Sequence, residues 1–142
     1  MIGAILLCLV VGIADGDTLT ARCGEPGAYQ QVKVRIAAID APERRQPFGE
    51  VSRQYLADLC NLQEAEIRVR SKDRYGRTVA DVKCRDQDAA ENQVRAGMAW
   101  YYTRYGQGYG GLAIVEQEAR RVRAGLWADR DPVPPWQWRR TK

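Results

Sequence analysis

The chain has 142 residues, with 22 basic and 18 acidic side chains and no histidine. That length suits one domain with a core of its own, and the missing imidazole excludes histidine-dependent triads and histidine metal sites, leaving hydrolysis to carboxylates, arginines and oxygen-bound ions. The net charge of +4 collects at the end, since residues 119–142 hold seven basic and two acidic groups, which suits a polyanionic partner and equally a solvated surface.

Residues 2–14 are apolar without a break, yet too few to cross a bilayer as a helix. Two signals overlap there. Residues 1–8 read as the remnant of an export signal, pointing to a secreted or periplasmic protein with a cytoplasmic location left open, and Leu9 to Ala14 reads as the first strand. Asp15-Gly16 between apolar runs predicts a hairpin into a second strand, Thr18 to Arg22. A tight turn accounts for Asp15 and Gly16 but gives Asp17 no role.

Val32, Val34, Ile36 and Ala38 alternate with Lys33, Arg35 and Ala37, which predicts a third strand. It must stop before Pro42, so Asp40 and Glu43 flank a stiff corner. The plainer reading is an ion pair at a strand end. The sharper one brings Asp17 and Asp40 together in space; two adjacent carboxylates repel unless a cation lies between them, and oxygen ligands suit calcium.

Pro47 predicts a helix start, with Phe48, Val51, Tyr55, Leu56 and Leu59 at helical spacing. Glu66 to Arg70 and Thr78 to Cys84 read as strands joined by a turn through Ser71 to Arg77. Five short strands with a helix before the fourth fit a Greek-key barrel of the oligonucleotide-binding type, and also an open sheet. Ala89 to Ala99 and Leu112 to Ala124 predict two more helices. Between them lie Trp100, Tyr101, Tyr102, Arg104, Tyr105 and Tyr109, rings that either stack on bases or fill a core. Pro132 to Trp138 reads as an extended tail clamped by its tryptophans. The resulting division is residues 1–8, a domain over 9–130 and a tail over 131–142. The four cysteines lack the paired close spacings of zinc sites. Cys60 and Cys84, each ending a predicted element, pair if the protein is exported; other pairings and four buried thiols stay open.

Six motifs then stand in order: Asp15-Gly16-Asp17-Thr18, Arg35 with Ile39-Asp40-Ala41-Pro42-Glu43, Gln46-Pro47-Phe48-Gly49, Asp73-Arg74-Tyr75-Gly76-Arg77, Gly97-Met98-Ala99-Trp100 and Gly125-Leu126-Trp127. Together, from Val10 to Ala128, they resemble the staphylococcal nuclease (thermonuclease) family, and the tail resembles that of a bacterial exported subset. The resemblance implies an α+β, mainly β fold, a five-stranded Greek-key barrel with three packed helices. It also implies a calcium-dependent endonuclease acting on DNA and RNA. Asp17, Asp40 and the Ala41 carbonyl would hold Ca2+, Glu43 would help activate water, and Arg35 and Arg77 would contact the phosphate. Arg74, Tyr75 and Tyr105 would line the nucleotide site. A monomer without a stable protein partner or membrane span is expected. The competing reading is a nucleic-acid or protein-binding module on the same fold that has lost catalysis; retention of all five of Asp17, Arg35, Asp40, Glu43 and Arg77 speaks for the enzyme.

Overall fold

The computed structural model describes residues 3–141. Its centre is a closed barrel of five strands: β1 (Ile5–Asp15), β2 (Thr18–Cys23), β3 (Gln30–Ile36), β5 (Glu64–Lys72) and β6 (Thr78–Cys84). β1, β2 and β3 form an antiparallel meander, β5 lies on the other side of β1, and β6 pairs antiparallel with β5. A parallel ladder, Val34 to Thr78 through Ile36 to Ala80, joins β3 to β6 and shuts the barrel. Closure leaves few unpaired edges. Alternation along these strands turns Val10, Leu19, Ala21, Val34, Ile36, Ala65, Ile67, Ala80 and Val82 into the interior, where all are essentially inaccessible.

Strand β1 begins at Ile5, four residues before the expected Leu9. Residues 5–9 pair with β5, and Cys8 is bridged to its register partner Cys23. The apolar run therefore belongs to the barrel from Ile5 onward, although Ile5 and Leu7 point to solvent. The second disulfide joins Cys60, the last residue of helix α1 (Gly49–Cys60), to Cys84 at the end of β6. That is the pairing expected for an exported chain; the Cys8–Cys23 bridge had no signal in the spacing.

Helix α1 covers the barrel through Ser52, Leu56, Leu59 and Cys60. It starts two residues after Pro47 because Phe48 takes a left-handed conformation, φ 72°. Val51 and Tyr55, expected on the buried face, are exposed, because the helical period that buries Ser52, Leu56, Leu59 and Cys60 leaves both off that stripe. Gly49 has no room for a side chain: a Cβ would strike the carbonyls of Glu43 and Arg44. Short strands β4 (Ile39–Asp40) and β8 (Trp100–Tyr101) pair antiparallel beside the barrel, with Asp40 opposite Trp100.

Strand β7 (Gln87–Asp88) leads into helix α2 (Ala89–Arg95), whose first turn is capped by the Asp88 carboxylate accepting from the Glu91 N–H at 2.9 Å. Helix α3 spans Gly111–Arg121 and packs against α2. Both helices are shorter than expected. Trp100, Trp127, Leu126 and Ala119 form a second core cluster, with Phe48, Ala124 and Trp136 against it. Trp100 and the half-buried Tyr101 and Tyr109 thus serve packing; the Tyr109 hydroxyl donates to Asp81 at 2.6 Å.

The tail is not extended throughout. Pro135 occupies the first turn of a short helix, α4 (Pro135–Trp138), followed by a turn over Arg139–Thr141. Trp136 stacks on Tyr102 at 5.2 Å and meets Trp100 edge-on at 5.4 Å. The Gln46 side-chain amide donates to the Val133 carbonyl at 2.6 Å, tying the tail to the loop before α1. Among the described residues, no helix is long and apolar enough to cross a membrane.

Candidate active site

The end of β3 gathers the charged residues. Thr18 pairs with Arg35 across the β2–β3 ladder, and the Ile36 N–H donates to the Asp17 carbonyl at 2.8 Å, so the hairpin carries Asp17 to the strand's exit. Ala38, at φ 69°, turns the chain sharply into β4. The turn returns Asp40 and Ala41 beneath Asp17, whose Oδ2 accepts from the Ala41 N–H at 2.7 Å while Oδ1 accepts from the Thr18 hydroxyl at 2.8 Å.

One guanidinium binds this arrangement together. Arg35 Nη2 lies 3.3 Å from Asp40 Oδ1 and 3.5 Å from Asp17 Oδ2, while Nη1 donates to the Ile36 and Ile39 carbonyls, both at 2.8 Å. Both carboxylates therefore reach the same nitrogen. Asp17 and Asp40 are buried and Arg35 nearly so. Burial is the chief influence on Asp40: with help from Asp17 it pushes the pKa up to about 6, although hydrogen bonds and charge from Arg139 and Arg35 pull the other way. Asp15, half-buried nearby, is also raised, by burial first and then by Asp17 and Glu43.

Glu43 stands at the corner beyond Pro42. Its N–H donates to Gln46 Oε1 at 3.1 Å, its carbonyl accepts from the Gln46 N–H at 2.8 Å, and Gly49 permits the close approach of α1 behind it. The carboxylate is about one-third exposed. A cleft of about 550 Å³ opens beside it, lined by Glu43, Arg44, Arg45, Trp138 and Arg139.

Arg139 is the residue that sequence reasoning missed. It comes from the tail, donating through Nη2 to Asp40 Oδ2 and through Nη1 to Glu43 Oε1, each at 2.7 Å, with a longer contact of 3.3 Å to Asp40 Oδ1. Its guanidinium is held more firmly charged by these bonds, against the opposing effect of burial. The only hint in the sequence was the basic excess of the tail.

Arg77 joins a separate group. The parallel ladder aligns Arg35 with Val79, and Arg77 lies just before β6 begins at Thr78. Its side chain is held by Asp73, Nε to Oδ2 at 2.7 Å. The Tyr75 and Arg77 N–H groups also donate to Asp73, and these bonds hold its carboxyl below the usual range despite partial burial. The Arg77 and Arg74 guanidinium groups lie 5.6 Å and 5.1 Å from the Tyr75 ring centre, and both Tyr75 and Arg74 are exposed. The Tyr105 side chain lies outside the described residues.

For cation binding, the donor chemistry fits. Asp17 and Asp40 offer hard carboxylate oxygens around a shared cationic nitrogen, and a second guanidinium bridges Asp40 to Glu43. Among the described residues no group of three or more histidine, cysteine or acidic side chains forms a ready cage, so a bound ion would need backbone or water oxygens besides.

A closed five-stranded barrel with a carboxylate–arginine centre at the exit of its third strand defines a class of small α+β proteins with an oligonucleotide-binding type of fold. Comparison with known sequences narrows this class. Residues 33–129 match the family model described as staphylococcal nuclease homologue, and the chain belongs to that family. It is 42% identical over 134 residues to a Haemophilus influenzae protein named "uncharacterized endonuclease", covering 94% of this chain and 72% of the relative. It is also 42% identical over 141 residues to a micrococcal nuclease of Shigella flexneri, covering 92% and 79%. A staphylococcal-like nuclease of Arabidopsis thaliana is 34% identical over 130 residues, which cover 92% of this chain but 40% of that longer protein.

Proposed function

We propose that this chain is a calcium-dependent endonuclease that hydrolyses phosphodiester bonds in both DNA and RNA. The coarser part of that reading, a nuclease hydrolase acting on nucleic acid, follows from family membership and from relatives named endonuclease and micrococcal nuclease. Nucleases of this family are metal-dependent in general. The observation that carries the finer part is the single Arg35 nitrogen shared by Asp17 and Asp40.

Asp17, Asp40 and the Ala41 carbonyl hold the ion, and Glu43, Arg35 and Arg77 act on the phosphodiester. When bound there, the ion would supply positive charge beside the phosphoryl oxygens. Arg35 is fixed by two carbonyls through Nη1 and two carboxylates through Nη2, so its remaining donor, the Nε–H, meets an equatorial phosphate oxygen without reorganisation. Arg77, steadied by Asp73, brings a second guanidinium from the far side of the seam. Glu43 orients a water and accepts its proton as the new P–O bond forms; one ester P–O bond breaks, and the leaving oxygen takes a proton from solvent. Arg74, Tyr75 and Tyr105 contact the nucleotide. The two disulfides suit an oxidising compartment, which supports secretion or a periplasmic site.

The deciding assay incubates the purified chain with single-stranded DNA and with RNA, in calcium and in chelator, alongside Glu43→Gln. Cleavage of both polymers that needs calcium and falls at least about a hundredfold in the variant is expected. Cleavage in chelator removes the metal assignment, and full activity of the variant removes Glu43 from the chemistry. Binding without cleavage by the intact chain leaves the binding module standing.

A further inference from the structure

The guanidinium of Arg139 lies where a cation is wanted. It takes Asp40 Oδ2 and Glu43 Oε1 at 2.7 Å each, while Asp40 Oδ1 is divided between Arg139 and Arg35 at 3.3 Å each. Every oxygen of Asp40 is thereby engaged by an arginine, and those of Asp17 already accept from Thr18 and Ala41. A divalent ion directed at Asp40 meets a resident positive charge on the same lone pairs, and the two repel at such range.

Arg139 is not a wandering surface side chain. The segment that presents it is fastened at three points: Gln46 to the Val133 carbonyl, Trp136 stacked on Tyr102, and Trp136 edge-on to Trp100. Pro135 starts the short helix that aims the following residue at the site. Glu43 is 96 residues away in sequence, so the contact exists because the tail is docked.

We propose that Arg139 is a built-in cation that occupies Asp40 and Glu43 in the metal-free protein and must be displaced when the divalent ion binds, so that the C-terminal tail sets calcium affinity. This rests on the metal site proposed above. Before calcium arrives, Arg139 neutralises the buried Asp40 carboxylate and holds Glu43 to the corner. Once the ion takes Asp40, the tail swings clear or re-forms its bonds elsewhere, and that exchange is subtracted from calcium binding.

The test is calorimetric titration of calcium chloride into chelator-stripped, full-length protein: wild type, Arg139→Ala, Trp136→Ala and, as a charge-matched control, Arg140→Ala. Loss of charge-assisted hydrogen bonds predicts about ten- to a hundredfold tighter calcium binding for Arg139→Ala. Trp136→Ala, which loosens the tail but keeps the guanidinium, tightens binding in the same direction, and Arg140→Ala stays within about twofold of wild type. Melting curves supply a second reading: Arg139→Ala melts earlier in chelator yet gains more from calcium. Unchanged or weaker calcium binding by Arg139→Ala overturns the proposal while leaving the metal site intact, and so does an equal gain in Arg140→Ala, which would mark a general charge effect. Calcium binding by none of the four proteins removes the metal site itself, and the proposal with it.

Discussion

Arg35→Gln separates the structural and chemical duties of the centre. The substitution removes two hydrogen bonds to backbone carbonyls and the counter-charge shared by Asp17 and Asp40. The side chains of Asp40 and Asp17 are 1% and 8% exposed and that of Arg35 15%, so solvent screens the loss little. Breaking a buried pair costs about 3–5 kcal/mol, but Arg139 still compensates Asp40, which places the expected cost near the lower end, about 3 kcal/mol. For a domain of this size that is roughly a 10 °C fall in melting temperature, read by circular dichroism at neutral pH in chelator. Calcium should restore much of the stability, because it replaces the missing positive charge between the carboxylates. Activity should remain about 10²–10³-fold below wild type even with calcium, because the ion does not replace a donor aimed at the phosphate. Loss of less than about 2 °C in chelator would show that the guanidinium does not hold the carboxylates, and recovery of both stability and activity with calcium would refute its phosphate role.

The acidity of Asp40 makes a second prediction. Its pKa rises from 3.8 unfolded to about 6 in the fold, so the native state binds the proton more tightly. The associated stability is complete below about pH 4 and is lost as pH climbs through 6. In chelator, the stability of wild type minus that of Asp40→Asn should therefore decline across this window, by on the order of 3 kcal/mol at most; a difference that grows with pH contradicts the reasoning. Gly49→Ala drives a Cβ into the Glu43 and Arg44 carbonyls, so it should lower the melting temperature and, on the fraction that remains folded, also lower kcat by about a hundredfold. Gly110→Ala, where a Cβ meets open space and the backbone is not left-handed, is the control, and equal kcat in both variants would separate helix approach from Glu43 placement.

Much of this architecture could be read from local pattern. Val34 and Ile36 alternate with polar neighbours, as do Ile67 and Val69, and each set faces inward as the period requires. The hairpin announced by Asp15-Gly16 forms, but its turn residues are Gly16 and Asp17, with Asp15 closing β1 against Thr18, and Asp17 and Asp40 meet at Arg35, the ion pair of the plainer reading. The failures have physical causes. Residues 2–14 have no polar alternation, so nothing in the run marked Ile5 as the start of β1. Phe48 takes a left-handed conformation that no propensity foretells, and Val51 and Tyr55 fall off the stripe set by Ser52, Leu56, Leu59 and Cys60. The Trp100 and Tyr109 rings gave ambiguous signals because aromatic side chains suit cores and bases alike. Arg139 was beyond reach: its contact with Glu43 spans 96 residues and depends on tryptophan packing that only the assembled tail provides.

The parallel ladder between β3 and β6 has a consequence for the timing of activity. One margin of that ladder carries Arg35 and, just after it, Asp40 and Glu43; the other begins one residue after Arg77. A nascent chain that has emerged only as far as residue 60 holds every acidic member of the proposed machinery but lacks the opposite bank. Under the proposed function, cleavage is therefore withheld until β6 seals the tube against β3, because the arginine of the second bank enters the fold only with that strand.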